Sequence, residues 1–214
     1  MHNRNSEIDT ILSRRLSGNR LTLDEGIALT RCNNLPKLAA AADRVARSLH
    51  PEPFRTYNID RNINYTNVCV SGCRFCAFSC KPDDSAGYVI EIDELLTKID
   101  ETVRLGGNQI LLQGGMNPAI PLAWYESMLG AIREHFPSVN VHGFSPTEIA
   151  FFADEAGISV DEVLCRLRDA GLGSLPGGGA EILVDRVRKI VSPNKIGADR
   201  WLDVCRRWHR LGGR

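Results

Sequence analysis

The sequence has no net charge, no apolar run long enough to cross a bilayer, and no repeat or low-complexity segment. Lys plus Arg and Asp plus Glu number 26 each, so nothing in the balance draws the chain to nucleic acid or to an anionic membrane surface. A bilayer span needs roughly 20 consecutive apolar residues, and no stretch approaches that. Residues 1–16 are polar and lack the uninterrupted apolar core of a signal peptide. The expectation is a cytoplasmic protein with no nucleic-acid partner and no membrane partner. Cysteine, by contrast, is not scarce. There are seven, four of them between Cys69 and Cys80. An odd, clustered set in a chain of cytoplasmic character argues for metal binding over a disulfide framework.

A chain of 214 residues can hold one domain with a sizeable core, or a domain plus a small extension. Residues 1–55 read as an N-terminal helical extension. Thr22 with Glu25 forms a capping box, and Leu38 to Leu49 gives a helical run ended by Pro51 and Pro53. Cys32 and His50 read as packing or surface residues. Residues 56–214 alternate strand and helix. Strands are expected at Asn62–Val68, Gln109–Gln113, Val139–Phe144 and Leu172–Leu175. Helices are expected from Ile92, Pro121 and Ser159, the last with a second capping box to Glu162, and from about Glu181 and Asp199. Arg206, Arg207, Arg210 and Arg214 read as a solvated helix face. This α/β alternation predicts a parallel sheet covered by helices. Four βα units are a partial (βα) barrel, too few to close the usual eight-stranded TIM barrel. The chain stops where a fifth strand is expected.

The chemistry concentrates in Cys69–Val70–Ser71–Gly72–Cys73–Arg74–Phe75–Cys76, directly after the first strand. Three thiolates within eight residues, on a loop relaxed by Gly72, can converge on one metal centre. A [4Fe–4S] cluster ordinarily takes four cysteines, so three leave one iron open for a ligand. A structural zinc site and an electron-transfer cluster are the alternatives. Zinc sites usually pair two C-x₂-C units, and Cys80 as a fourth ligand would close the site. Cys165 and Cys205 fall within helical patterns, where cysteine behaves as a small apolar residue.

The CxxxCxxC spacing, with the aromatic Phe75 before the third cysteine, resembles the radical S-adenosylmethionine (SAM) enzymes. The likeness extends along the chain. It includes Asp60 to Cys69, Phe75 to Phe78, Leu111 to Gly115 with Asn117–Pro118, and Phe144 to Pro146 with Glu148. Pro176 to Arg188 with Ser192–Pro193 is the most discriminating stretch. Together they resemble the radical SAM enzymes of the menaquinone futalosine pathway, and most of all the cyclic dehypoxanthine futalosine synthases. Aminofutalosine synthases and the deazaflavin-forming enzymes of coenzyme F420 synthesis share parts of the pattern.

The resemblance implies an oxidoreductase with a [4Fe–4S] cluster on Cys69, Cys73 and Cys76, and SAM chelated at the open iron. One electron, from a donor such as flavodoxin or ferredoxin, would release a 5′-deoxyadenosyl radical. That radical would take a hydrogen from the ribose of dehypoxanthine futalosine, a nucleoside-like small molecule. The carbon radical would then add to the benzoate ring, and loss of an electron and a proton would give the cyclic product. By matching position, Phe75, Gly114, Gly115 and Glu181 would contact SAM, and Gln113, His142 and Ser145 the substrate. A βα turn for the glycines, and helix capping for Glu148 and Glu181, are the alternatives. The chain departs from the family at Phe78–Ser79–Cys80–Lys81 and at Gly173, where the family tends to have an acidic residue. It also lacks the later strands, so the resemblance implies a C-terminal truncation, with an inactive fragment or a complementary C-terminal chain as possible consequences. Cys73→Ala is expected to abolish cluster binding. Full iron content in that variant after anaerobic reconstitution would show the ligand assignment to be wrong.

Overall fold

The computed structural model describes residues 2–214, with side chains from Ser6 onward. The chain divides into two compact units, residues 1–56 and 57–214. The first holds α1 (His2–Leu16), α2 (Leu23–Thr30) and α3 (Leu35–Leu49). The capping box at α2 is complete: Glu25 N–H donates to the Thr22 hydroxyl, and Thr22 N–H donates to the Glu25 carboxylate. Glu25 also takes Arg14 of α1, and Lys37 of α3 pairs with Asp9 of α1. Among the described residues no helix is long and apolar enough to cross a membrane.

The second unit is built on a parallel sheet in the order β1 (Asp60–Asn64), β2 (Gln109–Gln113), β3 (Asn140–Gly143). The helices that follow are α4 (Ile92–Arg104), α5 (Leu122–His135), α6 (Pro146–Ala156), α7 (Val160–Ala170), α8 (Asp185–Val191) and α9 (Ala198–Arg210). Side chains alternate across each strand. Ile63, Ile110, Leu112 and Val141 are buried in one core with Leu95, Ile99, Tyr125, Leu129, Ile149 and Leu164 of the helices. The other face carries Leu111 among polar residues. Gln109 donates to Asp60 (3.2 Å), Asn140 donates to Gln109 (2.8 Å) and to the Ser174 hydroxyl (3.1 Å), and His142 Nδ1 meets the same hydroxyl at 2.7 Å.

Four sequence expectations change. The first strand begins and ends earlier than Asn62–Val68, so Asp60 and Arg61 lie within it. After Asn64 the chain leaves the sheet: Thr66 bridges to Val89 and Val68 to Cys80, which turns the cysteine loop over the strand end. The fourth strand shrinks to one parallel bridge, His142 to Ser174, between Gly171, whose φ of 134° ends α7, and Pro176, which has no N–H to donate. The helix expected from about Glu181 starts at Asp185, because Glu181 sits at φ 38°. At α7 only half of the second capping box forms, with Glu162 N–H donating to Ser159. One helix has no expected span and enters only as the capping alternative at Glu148: α6 is apolar on most sides and largely buried, so no amphipathic stripe announces it. Gly173 has a local cause, since a Cβ there would stand 2.1 Å from Asn140 Oδ1.

Leu112 is fully buried at the centre of the sheet. Leu112→Ala is expected to lower unfolding free energy by about 2–5 kcal/mol. Denaturant titration checks this, and a loss under about 1 kcal/mol would mean the core does not close over β2.

Candidate active site

The ends of β1, β2 and β3 meet at a cleft of about 240 Å³, walled by Cys69, Cys73 and Cys76 on one side and by Gln113, Gly114 and Gly115 on another. The cysteine loop crosses the end of β1 and is held by backbone bonds. Val70 N–H donates to Met116 O, and Arg74 N–H to Val191 O. Asn194 straps the loop from outside, donating through its amide to Val70 O at 2.9 Å and through its N–H to Ser71 O at 3.3 Å. The Ser192–Pro193 turn after α8 therefore serves the cysteine loop.

The three sulfurs differ in setting. Met116 N–H donates to Cys69 Sγ at 3.3 Å, and the Ser71 hydroxyl lies 3.0 Å from Cys69 Sγ and 3.3 Å from Cys73 Sγ. Cys76 is exposed. Burial pushes its thiol up, but bonds to the backbone of Phe78 and Ser79, the Ser79 hydroxyl and the Lys195 charge outweigh that and leave it below its ordinary value. Among the described residues no three His, Cys, Asp or Glu side chains gather to hold a single metal ion. A cube of iron and sulfide does not ask for that, because each thiolate binds a different iron. Cys80 is paired into the backbone beside Asn67 and Cys69, and its sulfur faces Gly87. It does not line the cleft.

Gly114 and Gly115 form a shelf with no room for a side chain. A Cβ on Gly114 would lie 2.4 Å from the Tyr65 ring, and one on Gly115 2.0 Å from Val68 O. Only glycine lets these backbones pass so close. Behind the shelf is a group for which the sequence left helix capping as one alternative: Glu148 is 5% exposed. One of its oxygens, Oε1, accepts from the Tyr65 phenol at 2.6 Å and from Gly114 N–H at 3.1 Å. Burial raises the Glu148 carboxyl to about 7, against the pull of Ser145, Tyr65, Gly114 and Lys195. Burial first, then the Glu148 charge, pushes the Tyr65 phenol well above its usual range, so it remains a donor.

The other expected residues fall in two groups. Gln113, Ser145 and Phe75 line the cleft, with Ser145 also capping α6 through Glu148 N–H. His142 does not line it. It lies on the same face of the sheet as Leu111, bonded to Ser174, and burial lowers its imidazole below the ordinary value against the pull of Asp60. Glu181 does not line it either, since its carboxylate is engaged by Lys195 at 2.7 Å. Lys195 does reach the cleft, 5.6 Å from the Phe75 ring centre. Arg188 was missed by the sequence reading. It is 2% exposed and donates to the carbonyls of Gly179, Ala180, Ile182 and Ile196, which fixes the glycine run that closes the cleft. Thr147, Gly178 and Gly179 complete that wall.

Comparison with known proteins agrees with this geometry. The model of the Radical SAM superfamily matches residues 63–214. The cyclic dehypoxanthine futalosine synthase of Halalkalibacterium halodurans is 42% identical over 205 residues, 96% of this chain and 55% of that protein. The 5-amino-6-(D-ribitylamino)uracil–L-tyrosine 4-hydroxyphenyl transferase of a Cyanothece species is 38% identical over 213 residues, 96% of this chain and 56% of that protein. The chain thus spans about half the length of the curated relatives it matches. Among solved structures, HydG, a maturase of the [FeFe]-hydrogenase, superposes with a TM-score of 0.74 at 16% identity, over 97% of this chain and 44% of that one, and so shares the fold.

The buried Glu148 sets a pH signature. Between about 4.5 and about 7 the unfolded chain has lost the proton that the folded chain keeps. Stability therefore falls as pH rises through that window and is level above it. Glu148→Gln has no proton to lose there, so its stability is expected to lack that fall. Denaturation midpoints for the two proteins across the window test this, and parallel curves would show that Glu148 ionises normally.

Proposed function

The chain belongs to the radical SAM superfamily, whose cofactors are a [4Fe–4S] cluster and SAM, and from that premise we propose that it takes part in converting dehypoxanthine futalosine to cyclic dehypoxanthine futalosine in menaquinone biosynthesis. The observation that carries the reading is one cleft that joins the three cysteines to the Gly114–Gly115 shelf. The 42% identity to a synthase of that name, across nearly the whole of this chain, supports the choice of reaction.

Cys69, Cys73 and Cys76 would hold the cluster, and the donor set fits it: these three thiols line the cleft and Cys80 does not. When bound, the cluster and SAM supply a carbon-centred radical that removes a hydrogen atom. The residues of this chain do the rest by placement. The Met116 N–H donates to Cys69 Sγ, and the Ser71 hydroxyl lies against the Cys69 and Cys73 sulfurs, so the two thiols are held in place on the loop. Phe75 and the Gly114–Gly115 shelf shape the SAM side, and Gln113 and Ser145 line the side left for substrate. Glu181 acts through Lys195, holding a positive charge at the rim. The apolar core lies behind the cleft, where the Tyr65 ring packs against Gly114. A one-electron donor of the flavodoxin or ferredoxin kind is required.

The 38% identity to the aminouracil–tyrosine transferase favours a second reading, in which the same machinery joins a radical acceptor to another precursor. Product mass with each substrate separates the two. The decisive test is release of 5′-deoxyadenosine from SAM by this chain, anaerobically reconstituted and reduced. Release that disappears in Cys69→Ala, Cys73→Ala and Cys76→Ala is the expected result. No release from a wild-type chain with full iron content would refute the proposal that this chain carries the radical step.

A further inference from the structure

One polar group on the cleft wall lacks the partner that burial normally requires, and its neighbour carries a carboxyl. Thr147 is 2% exposed, and its hydroxyl is buried with no hydrogen-bond partner. Glu148, next to it, keeps a carboxyl whose charge the fold penalises, raised to about 7 by burial. Both line the cleft, and both belong to the first turn of α6. A buried hydroxyl left unpaired costs stability, and the same shape without the hydroxyl is nearly neutral or better. Valine would fill the position of Thr147 at less cost to the fold. A buried hydroxyl left in that condition calls for an explanation, and a ligand is one.

The glycine wall against the hydroxyl leaves no room for a side chain that could pair with it. A Cβ on Gly179 would lie 2.5 Å from Thr147 Oγ1, and a Cβ on Gly178 2.9 Å from the Gln113 amide and 3.2 Å from Ser145 Cβ. The glycine run, fixed by Arg188, packs over the hydroxyl without offering it a hydrogen bond. A hydroxyl that can donate or accept, beside a carboxylate that accepts, matches a group that does both.

We propose that Thr147 and Glu148 form a binding subsite for a sugar hydroxyl, Thr147 Oγ1 exchanging one hydrogen bond with the ligand and the Glu148 carboxylate accepting another. The identity of the ligand rests on the radical SAM reading, since SAM and the nucleoside-like substrate both carry sugar hydroxyls.

Thr147→Val keeps the shape and removes the hydroxyl. On the anaerobically reconstituted chain, SAM and dehypoxanthine futalosine are titrated separately by calorimetry. One of them is expected to bind the variant about tenfold more weakly, the loss of roughly one hydrogen bond. The affected ligand is the one that docks here. Thr147→Ser, which restores the hydroxyl, should recover the affinity. Iron content and melting temperature should not fall in Thr147→Val. Equal affinity of variant and wild type for both ligands would overturn the subsite and leave the family reading standing. A melting temperature several degrees lower would overturn it without any ligand, because the hydroxyl would then have a partner inside the fold. Failure of the wild type to bind SAM at full iron content would sink the functional reading and this inference with it.

Discussion

The active end of the sheet hangs on one carboxylate oxygen. Oε1 of Glu148 takes a hydrogen bond from Tyr65, which follows β1, and another from Gly114, which follows β2, while Glu148 itself begins the helix that follows β3. Three strand ends are tied at one atom, in a place where water cannot compete. The tie has a steric condition. Tyr65 can reach Glu148 only because Gly114 presents no side chain to its ring, and the chain beyond can turn over Val68 only because Gly115 presents none. The glycine pair and the buried acid are therefore one device. Neither makes structural sense without the other.

A second tie works from the far side of the cleft. Arg188 is buried and brings five N–H donors and no acceptor, so it must be surrounded by acceptors. The carbonyls of residues 179, 180, 182 and 196 are those acceptors. Folding the chain around the guanidinium brings Asn194 against the cysteine loop and Lys195 to the rim. A stretch more than a hundred residues downstream of the cysteines in this way sets the path of the loop that carries them. Each wall is positioned by buried polar groups on the segment behind it rather than by apolar packing alone.

Much of this was legible in the sequence. The cysteine spacing and the paired glycines point at the cleft directly, because sulfur and missing side chains are local signals. The helix α4 and the strand β2 follow from periodicity and from Gly106–Gly107. What was not legible depends on contacts distant in sequence. Glu148 reads as a helix cap because capping is what a carboxylate at that position does locally, and it does lie in the first turn of α6. Its burial comes from Tyr65, which is 83 residues away. His142 lies on an inward face, as strand position suggests, but at the level of Asn140 and Ser174, below the cleft, where the polar ladder absorbs it. Arg188 looks like an ordinary helix arginine until the glycine run is seen to wrap it. The fourth strand was over-read because residues 172–175 are apolar enough for a strand, but the glycines at 171 and 173 and Pro176 limit its pairing to one bridge.

The cost of the fold is unevenly spread, and the pattern locates the function independently of any relative. Backbone strain in non-glycine residues falls at Phe144, φ 62°, immediately before Ser145, and at Glu181, φ 38°, beside Lys195. The carboxyl penalised by burial is Glu148, and Thr147 next to it holds an idle buried hydroxyl. Such features persist only where the surrounding structure over-determines them, and they gather at functional sites. All four lie in the cleft wall or adjoin residues that line it. A chain selected for stability alone would have placed valine for threonine, glutamine for the acid, and glycine at the two positive φ positions. That the chain does otherwise, around the loop where three cysteines present their sulfurs, argues that the site was shaped by what it binds.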